Sequence, residues 1–302
     1  MVSLQKPSVL ILERCQDQLK ELLQLVAKAG LEGLSFTDGH DLTNRQLWPN
    51  AVGVLVGSLD ASQDPAIVLA KLREASIPVI VVTDAMTEDK VFRTCTAREA
   101  ISQGIEACLP RRNLATDLER TLRSVVQTSP ADASAVGPQA ICYTIDNIPE
   151  VLPMIVSHIR SQLEAWPFSD PMDPIRMTVA LSEVLDNALY HGNLELSSDL
   201  RQGDGRAWRE ESQRRLRQSP YCDRQIRIEF AIDNHSARFV VRDEGPGFNP
   251  HILSDCTEEE NLERCSGRGL LLIRMYMDEV RFNETGNEAI LVKHHSGPRA
   301  DM

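Results

Sequence analysis

TVALSEVLDNALYHGN, residues 178–193, is the stretch that decides the fold of the chain's second half. Its apolar residues recur with helical spacing and predict a helix over about 173–192. Glu183, Asn187 and His191 follow at intervals of four, so they project from one face of that helix. An amide oxygen can ligate Mg²⁺, and a carboxylate can deprotonate an attacking hydroxyl. The alternative is the solvated polar face of an amphipathic helix.

A second motif, VVRDEGPGF, spans residues 240–248 and predicts a strand that ends in Asp243. A buried carboxylate at a strand end can accept a hydrogen bond from an exocyclic amine such as that of adenine. Gly245 and Gly247 would let the backbone pass close to a base. The alternative is an ordinary tight turn, because the pattern D-x-G-x-G is only moderately specific.

A third motif, CSGRGLLLIRMYMDEV, spans residues 265–280, where Gly267, Arg268 and Gly269 open a strongly apolar helix. The amino terminus of a helix presents free N–H groups and the positive end of the helix dipole, which suit phosphate. Arg268 could add charge at a γ-phosphate. The alternative is a flexible turn followed by a core helix.

These three motifs occur in the order E-x3-N-x3-H, D-x-G-x-G and GRGL-x2-I. Together they resemble the motifs of the Bergerat-type (GHKL) ATPases, over roughly residues 140–295. This group includes gyrase, histidine kinases and anti-sigma-factor kinases, and GRGLLLI followed by MDEV is most similar to the anti-sigma-factor serine/threonine kinases. The resemblance implies ATP and Mg²⁺ as cofactors. By it, Asn187 holds Mg²⁺, Glu183 is the catalytic base and Asp243 recognises adenine.

The resemblance also implies roles for the remaining residues of the three motifs. Residues 249–266 would form a mobile lid over the nucleotide. Gly245 and Gly247 would shape the base pocket, and Gly267, Arg268 and Gly269 would contact the phosphates. His191 would occupy the family's histidine position.

The second half as a whole predicts an α+β sandwich, with helices on a mixed, mainly antiparallel sheet. A charged insertion, residues 196–224, is longer than the connection usual in the anti-sigma-factor kinases, and Trp208 and Leu216 have helical spacing within it. It is either a docking element or a solvated surface helix. Strands are expected at 141–145, 226–232, 237–243, 279–283 and 288–294, and a further helix at 149–165.

The first half alternates short apolar runs with amphipathic helices, which predicts an α/β doubly wound parallel sheet of the receiver-like, flavodoxin-like order. The expected strands are residues 8–12, 34–36, 51–56, 77–82 and 105–109. The expected helices are residues 17–30, 64–75, 88–102 and 114–126.

Although this half resembles a response-regulator receiver, its chemistry departs from one. A receiver needs an acidic pair after its first strand, where this chain has Glu13-Arg14, and an aspartate after its third strand, where it has Gly57 or Ser58. Thr83 matches the family's hydroxyl, but Pro110-Arg111-Arg112 replaces its lysine. We therefore expect a pseudo-receiver that works by protein contact; the alternative is phosphorylation of Asp60.

Composition sets the domain plan and the class of protein. The Ser-, Ala-, Pro- and Gly-rich residues 127–139 predict a flexible linker between a receiver-like domain at 1–126 and an ATPase domain at 140–296, with a tail at 297–302. With 32 Lys and Arg against 44 Asp and Glu, the net charge of −12 counts against nucleic acid and anionic membrane as partners. No apolar run approaches the roughly 20 residues of a membrane span. The seven cysteines are scattered and no export signal is seen, so a cytoplasmic location is expected.

The expected function is that of an ATP-binding signalling protein, an anti-sigma-factor-type serine/threonine protein kinase. It would phosphorylate or sequester an anti-sigma-antagonist-like or sigma-like protein, and the family resemblance suggests a homodimer through the ATPase domain. One alternative is a nucleotide-gated protein-binding module without turnover. Another is a histidine kinase, for which His158 is the candidate. A gyrase-like motor would lack its transducer domain and basic surface.

Overall fold

We describe a computed structural model of the 302-residue chain. It describes residues 7–36, 50–60, 64–74, 78–83, 92–94, 96–127, 139–166, 168, 170–201, 205–250 and 268–294. Contacts divide the chain into two compact units, Met1–Tyr143 and Thr144–Met302. In the part of the chain that is described, no helix has the length and apolar character needed to cross a bilayer.

The first unit contains a parallel sheet built from the predicted apolar runs. Its main strands are β1 (Ser8–Leu12), β2 (Glu32–Phe36), β3 (Ala51–Val56), β5 (Val79–Thr83) and β7 (Ala107–Pro110). They lie side by side in the order β2-β1-β3-β5-β7, and each neighbouring pair is parallel. Taken alone, the five strands therefore have the order 2-1-3-4-5, which is the flavodoxin-like order that was predicted.

Helices flank this sheet, and its central strands are buried. The helices are α1 (Gln16–Lys28), α2 (Pro65–Glu74), α3 (Ala97–Ser102) and α4 (Leu114–Gln127). Every residue of β1 and β5 is buried, as expected for parallel strands covered on both faces. One core cluster joins β1 to α1 and α4 through Ile11, Val26 and Leu118.

One predicted helix of the first unit is wrong in part. The helix expected over residues 88–102 begins only at Ala97, because Phe92–Thr94 forms strand β6. This strand pairs antiparallel with β4 (Ser58–Asp60), which follows β3 after a single residue, Gly57. The backbone of β6 therefore forms its hydrogen bonds with residues more than 30 positions earlier in the chain. The local periodicity of the sequence does not predict such a pairing.

The second unit is a sheet with helices packed on it. Strand β8 (Gln139–Asp146) begins in the first unit and ends in the second. Strands β9 (Gln225–Ile232), β10 (Ser236–Arg242), β11 (Glu279–Phe282) and β12 (Glu288–His294) follow, with antiparallel pairing in the order β9-β10-β12-β11. The helices are α5 (Leu152–Glu164), α6 (Asp173–Asp186), α7 (Arg206–Arg215) and α8 (Arg268–Tyr276). Helix α6 packs against α5, α8 and β10.

The helix predicted over 173–192 changes type near its end. The α-helical part stops at Asp186, and Asn187–Asn193 continues as a π-helix. The N–H of Leu194 accordingly donates to the carbonyl oxygen of Leu189, five residues earlier, at 2.9 Å. Such widened turns often occur at functional sites.

Candidate functional site

A cleft of about 260 Å³ opens in the second unit and is lined by residues of all three sequence motifs. Its walls are mainly apolar. They include Val184 and Ala188 from the helix, Val241 from β10, Ile273 from α8, and Phe282 and Ala289 from the last two strands. Asn187, His191 and Asp243 contribute polar groups to the same cleft. An apolar cleft with a few convergent polar groups is typical of a small-molecule site.

Asp243 lines this cleft directly after β10 and is only 8% exposed. Its N–H donates to the carbonyl oxygen of Asn287 at 3.0 Å, and its carboxylate accepts the N–H of Gly245 at 2.8 Å. Burial raises the pKa of Asp243 to about 6, although the Gly245 bond and the charges of Arg224 and Arg242 act in the opposite direction. The site therefore holds a carboxylate that a ligand donor would stabilise.

Two glycines allow the backbone to approach Asp243 closely. A methyl group on Gly192 would overlap the carboxyl group of Asp243, and one on Gly245 would overlap the carbonyl of Gly192. Gly245 was a predicted site residue, whereas Gly192 was not. The sequence did contain a signal for Gly192, namely its position directly after His191 in the first motif.

Gly247 also lines the cleft and adopts a left-handed backbone conformation with φ of +72°. A methyl group there would overlap the carbonyl oxygen of Thr285, which accepts the N–H of Phe248 at 3.0 Å. Gly286, with φ of +78°, makes the reciprocal close approach to the backbone of Phe248. The turn after β10 therefore packs closely against the turn between β11 and β12.

The structure places the predicted residues of the first motif along one side of the helix. Asn187 and His191 line the cleft, and the Nδ1–H of His191 donates to the carbonyl oxygen of Leu196 at 2.7 Å. Glu183 is half-buried on α6. One of its carboxylate oxygens lies 2.6 Å from the position that a Cβ atom on Gly269 would take. The carboxylate thus faces the backbone at the start of α8.

Some predictions concern parts of the chain that the structure does not describe. Gly267 and residues 251–266 of the predicted lid lie outside the described residues, as does most of the predicted linker. The backbone of Arg268 begins α8, but its side chain lies outside the description. His158, the candidate for histidine kinase chemistry, lies on α5 with its Nε2 3.4 Å from the side-chain amide of Gln162.

Sequence reasoning missed Asn193, a fully buried residue that connects several segments of the site. Its side-chain amide donates to the side chain of Asn147 at 2.7 Å and to the carbonyl oxygen of Gln225 at 2.9 Å. Its side-chain oxygen accepts the N–H of Glu244 at 2.8 Å. Buried amides require such partners, but these partners are 32 to 51 positions away.

Comparison with known proteins supports the prediction of a histidine kinase-like ATPase domain in the second unit. Residues 150–293 match the family model described as "Histidine kinase-like ATPase domain". No curated protein matches the chain significantly. A solved structure of a response regulator receiver domain protein from Clostridium thermocellum is similar at 16% identity and a TM-score of 0.33, over 40% of this chain and 94% of that chain. The segment that contains the cleft is thus similar in sequence to histidine kinase-like ATPase domains.

Proposed function

We propose that the second unit binds ATP with Mg²⁺ and that the protein is a signalling kinase that phosphorylates a serine or threonine of a regulatory protein. One observation carries this proposal: Asn187 and Asp243, from two motifs more than 50 positions apart, line one cleft, and Glu183, one helical turn before Asn187, lies against the start of α8. The match of residues 150–293 to histidine kinase-like ATPase domains supports the nucleotide-binding part.

The chemistry of the cleft fits an adenine nucleotide with Mg²⁺. Its apolar walls suit a flat base, and the buried Asp243 carboxylate suits an exocyclic amine. In the described part of the chain, no group of three or more His, Cys, Asp or Glu residues could hold a metal ion. Mg²⁺ commonly takes few protein ligands and completes its shell with phosphate oxygens and water. The side-chain oxygen of the exposed Asn187 is a suitable single ligand.

Each of three residues has one role in this proposal. Asp243 accepts a hydrogen bond from the adenine amine and so orients the base. Asn187 holds the metal ion through its amide oxygen. Glu183 accepts the proton of the attacking hydroxyl, whose oxygen then bonds to the γ-phosphorus as the bond to the leaving diphosphate breaks. When bound, ATP supplies the phosphoryl group.

The expected partner follows from the family resemblance of the three motifs. We propose an anti-sigma-antagonist-like or sigma-like protein as that partner, and a homodimer through the ATPase domain. The net charge of −12 counts against a nucleic acid as the partner.

Labelled ATP tests the kinase proposal. With Mg²⁺ and candidate antagonist proteins, the wild-type chain should yield a phosphoprotein with acid-stable label. Glu183→Gln should lower the transfer rate by roughly 100-fold or more while ATP affinity is retained. Glu164→Gln, which removes an exposed partner of Arg160 on α5, is the control. Unchanged transfer in Glu183→Gln would refute the role of Glu183, and ATP binding without transfer in the wild type would favour the nucleotide-gated module.

For the first unit we propose a pseudo-receiver that acts by protein contact. The carboxylate of Glu13, only 1% exposed, accepts the N–H of Cys15 at 2.9 Å and the N–H of Ser58 at 3.1 Å. It also accepts the hydroxyl of Ser58 and pairs with Arg111 at 3.0 Å. A methyl group on Gly57 would overlap this carboxylate. An ion pair and a serine thus fill the position where a receiver would hold its metal and phosphoacceptor.

Acetyl phosphate with Mg²⁺ tests the pseudo-receiver. No stoichiometric acid-labile label is expected on the first unit. Such a label on Asp60, whose side chain lies outside the described part of the chain, would overturn the proposal.

A further inference from the structure

The helix formed by α6 and its π-helical end, here called the nucleotide-site helix, is followed by a turn at residues 194–195. The last residue of this helix and the two residues of the turn carry three backbone carbonyls that receive their donors from two arginines. Carbonyls at the end of a helix have no partner within the helix. Arg224 donates to the carbonyl oxygen of Asn193 at 2.7 Å. Arg215 donates to those of Leu194 at 2.7 Å and Glu195 at 2.8 Å. The charged insertion, which contains both arginines, therefore caps this helix.

The two arginines are held in place by further contacts. Arg224 also pairs with the Glu195 carboxylate at 2.6 Å, and Arg215 pairs with Glu211 at 2.5 Å. Both guanidinium groups lie over the ring of Tyr221, at 5.3 Å and 4.8 Å from its centre. Their side chains are only 18% and 19% exposed, so solvent weakens these interactions less than those of an ordinary surface pair.

The capped segment is the same backbone that contacts Asp243. Gly192 lies directly against the Asp243 carboxyl group, one residue before the carbonyl that Arg224 holds. Glu195 follows in a left-handed conformation, with φ of +51°, that non-glycine residues adopt only at some cost. Without Arg224, the side chain of Asn193 and the Arg215 contacts would still hold parts of this turn. The Asn193 carbonyl and the Glu195 carboxylate would lose the donor that they share, which would loosen the backbone next to Gly192.

We propose that Arg224 is a positioning residue of the nucleotide site: by binding the Asn193 carbonyl and the Glu195 carboxylate together, it holds Gly192 against Asp243 and so sets the affinity for the adenine base. This inference rests on the proposed function of the second unit. The planar guanidinium group makes both contacts at once, which the single ammonium group of a lysine does not reproduce. The charged insertion is then a working part of the site.

Nucleotide calorimetry on matched variants tests this inference. ATP–Mg²⁺ affinity is measured for Arg224→Ala and Arg224→Lys at a temperature where circular dichroism shows every variant folded. Arg224→Ala should bind ATP about tenfold more weakly, since a hydrogen-bonded charge is removed. Arg224→Lys should recover less than half of that loss. Glu195→Gln should weaken ATP binding by a smaller factor, because the carboxamide oxygen still accepts a hydrogen bond.

Two controls separate positioning from general stability. Ile159→Val removes one methylene from the fully buried face of α5 and lowers the unfolding temperature without touching the capped turn. Arg206→Ala removes an exposed arginine of α7 that pairs with Glu210. Both controls should bind ATP like the wild type.

Each outcome has one meaning. If the wild type binds no adenine nucleotide, the proposed function itself fails. If the wild type binds ATP and Arg224→Ala binds it equally well, the inference is overturned while the proposed function stands. If Ile159→Val weakens ATP binding as much as Arg224→Ala does, the role of Arg224 is only structural and the inference is again overturned. Should Arg224→Ala fail to fold, Arg224→Lys against the same controls decides.

Discussion

At the scale of single residues, Asp243 shows a conflict between stability and binding. The carboxylate is buried, and burial raises its pKa from 3.8 to about 6. The folded chain then holds the Asp243 proton more tightly than the unfolded chain, so stability falls as the pH rises from about 4 to about 6. Above that range, the ionised carboxylate is retained at a cost to the fold, which is typical of groups kept for function.

Asp243→Asn should therefore stabilise the protein while weakening nucleotide binding. At pH 7.5 its free energy of unfolding should exceed that of the wild type by about 1–3 kcal/mol. At pH 4 the two should be nearly equal, because the wild-type carboxyl is then neutral. Urea unfolding at both pH values measures the difference, and calorimetry measures ATP affinity. A difference that is the same at pH 4 and pH 7.5 would contradict the assignment.

Gly269 is expected to control the position of Glu183. Gly269→Ala places a methyl group 2.6 Å from a carboxylate oxygen at the flexible end of that side chain. The side chain can swing aside, and alanine favours a helix, so the free energy of unfolding should change by less than about 1 kcal/mol. Phosphoryl transfer should fall about 10- to 100-fold, because a base displaced by about 1 Å loses efficiency.

The rate of transfer to the partner protein measures this effect. Gly53→Ala is the control, since its methyl group meets only an ordinary contact, 3.6 Å from the carbonyl oxygen of Pro78. Full transfer activity in Gly269→Ala would show that Glu183 does not need its observed position.

The first two sequence motifs supplied Asn187, His191 and Asp243, and the structure places these three side chains in one cleft. Gly192 and Asn193 were not predicted as site residues, because their importance comes from contacts with Asp243 and Glu244, which are about 50 positions later in the chain. A single sequence holds no record of such contacts.

At the scale of elements, the strands were predicted best, because each buried strand is a short apolar run. The structure has strands in every predicted apolar run of the first unit, with shifts of two residues or so at their ends. Two features were not predictable. The periodicity of residues 187–193 does not distinguish a π-helix from an α-helix, and strand β6 exists only because β4 pairs with it.

The ends of β1, β3 and β7 meet at the ion pair between Glu13 and Arg111, which should be essential to the first unit. The Glu13 side chain is fully buried and that of Arg111 is 15% exposed. Arg111→Met would leave the carboxylate buried beside Ser58 without its cation. Breaking a buried pair in this way costs about 3–5 kcal/mol.

Urea unfolding of the full chain, monitored with a probe in the first unit, measures this loss of unfolding free energy. The comparison variant is Arg123→Met, which breaks an exposed pair with Glu119 on α4, where the side chains are 66% and 53% exposed. That change should cost less than about 1 kcal/mol. Equal losses in the two variants would show that the buried pair has no special importance.

At the scale of the whole molecule, the two-part plan followed from composition and from the change of pattern between the halves. The contacts of the chain divide at residues 143 and 144, inside β8 and a few residues beyond the predicted linker. Composition alone could not show this, because β8 begins as an apolar strand that also pairs with β7 through Cys142 and Ala107.

Hydrogen exchange should show that nucleotide stabilises one unit. At ATP–Mg²⁺ concentrations 100 times the dissociation constant, a bound ligand adds about 2.7 kcal/mol to the unit that binds it. Slowly exchanging amides of β9 and β10 should then slow by up to about 100-fold, while those of β1 and β3 keep their rates. Equal slowing in both units would show that they unfold as one, and no slowing anywhere would contradict the nucleotide site.

The contact between Gly192 and Asp243 has a consequence for chemical probes of this protein. Purine riboside triphosphate differs from ATP only in carrying a hydrogen in place of the 6-amino group. With the backbone of Gly192 lying against the carboxylate, the buried Asp243 would then lose the ligand donor that the amine supplies. A purine changed at this one substituent should therefore bind much more weakly than ATP, and it examines the carboxylate without any alteration of the protein.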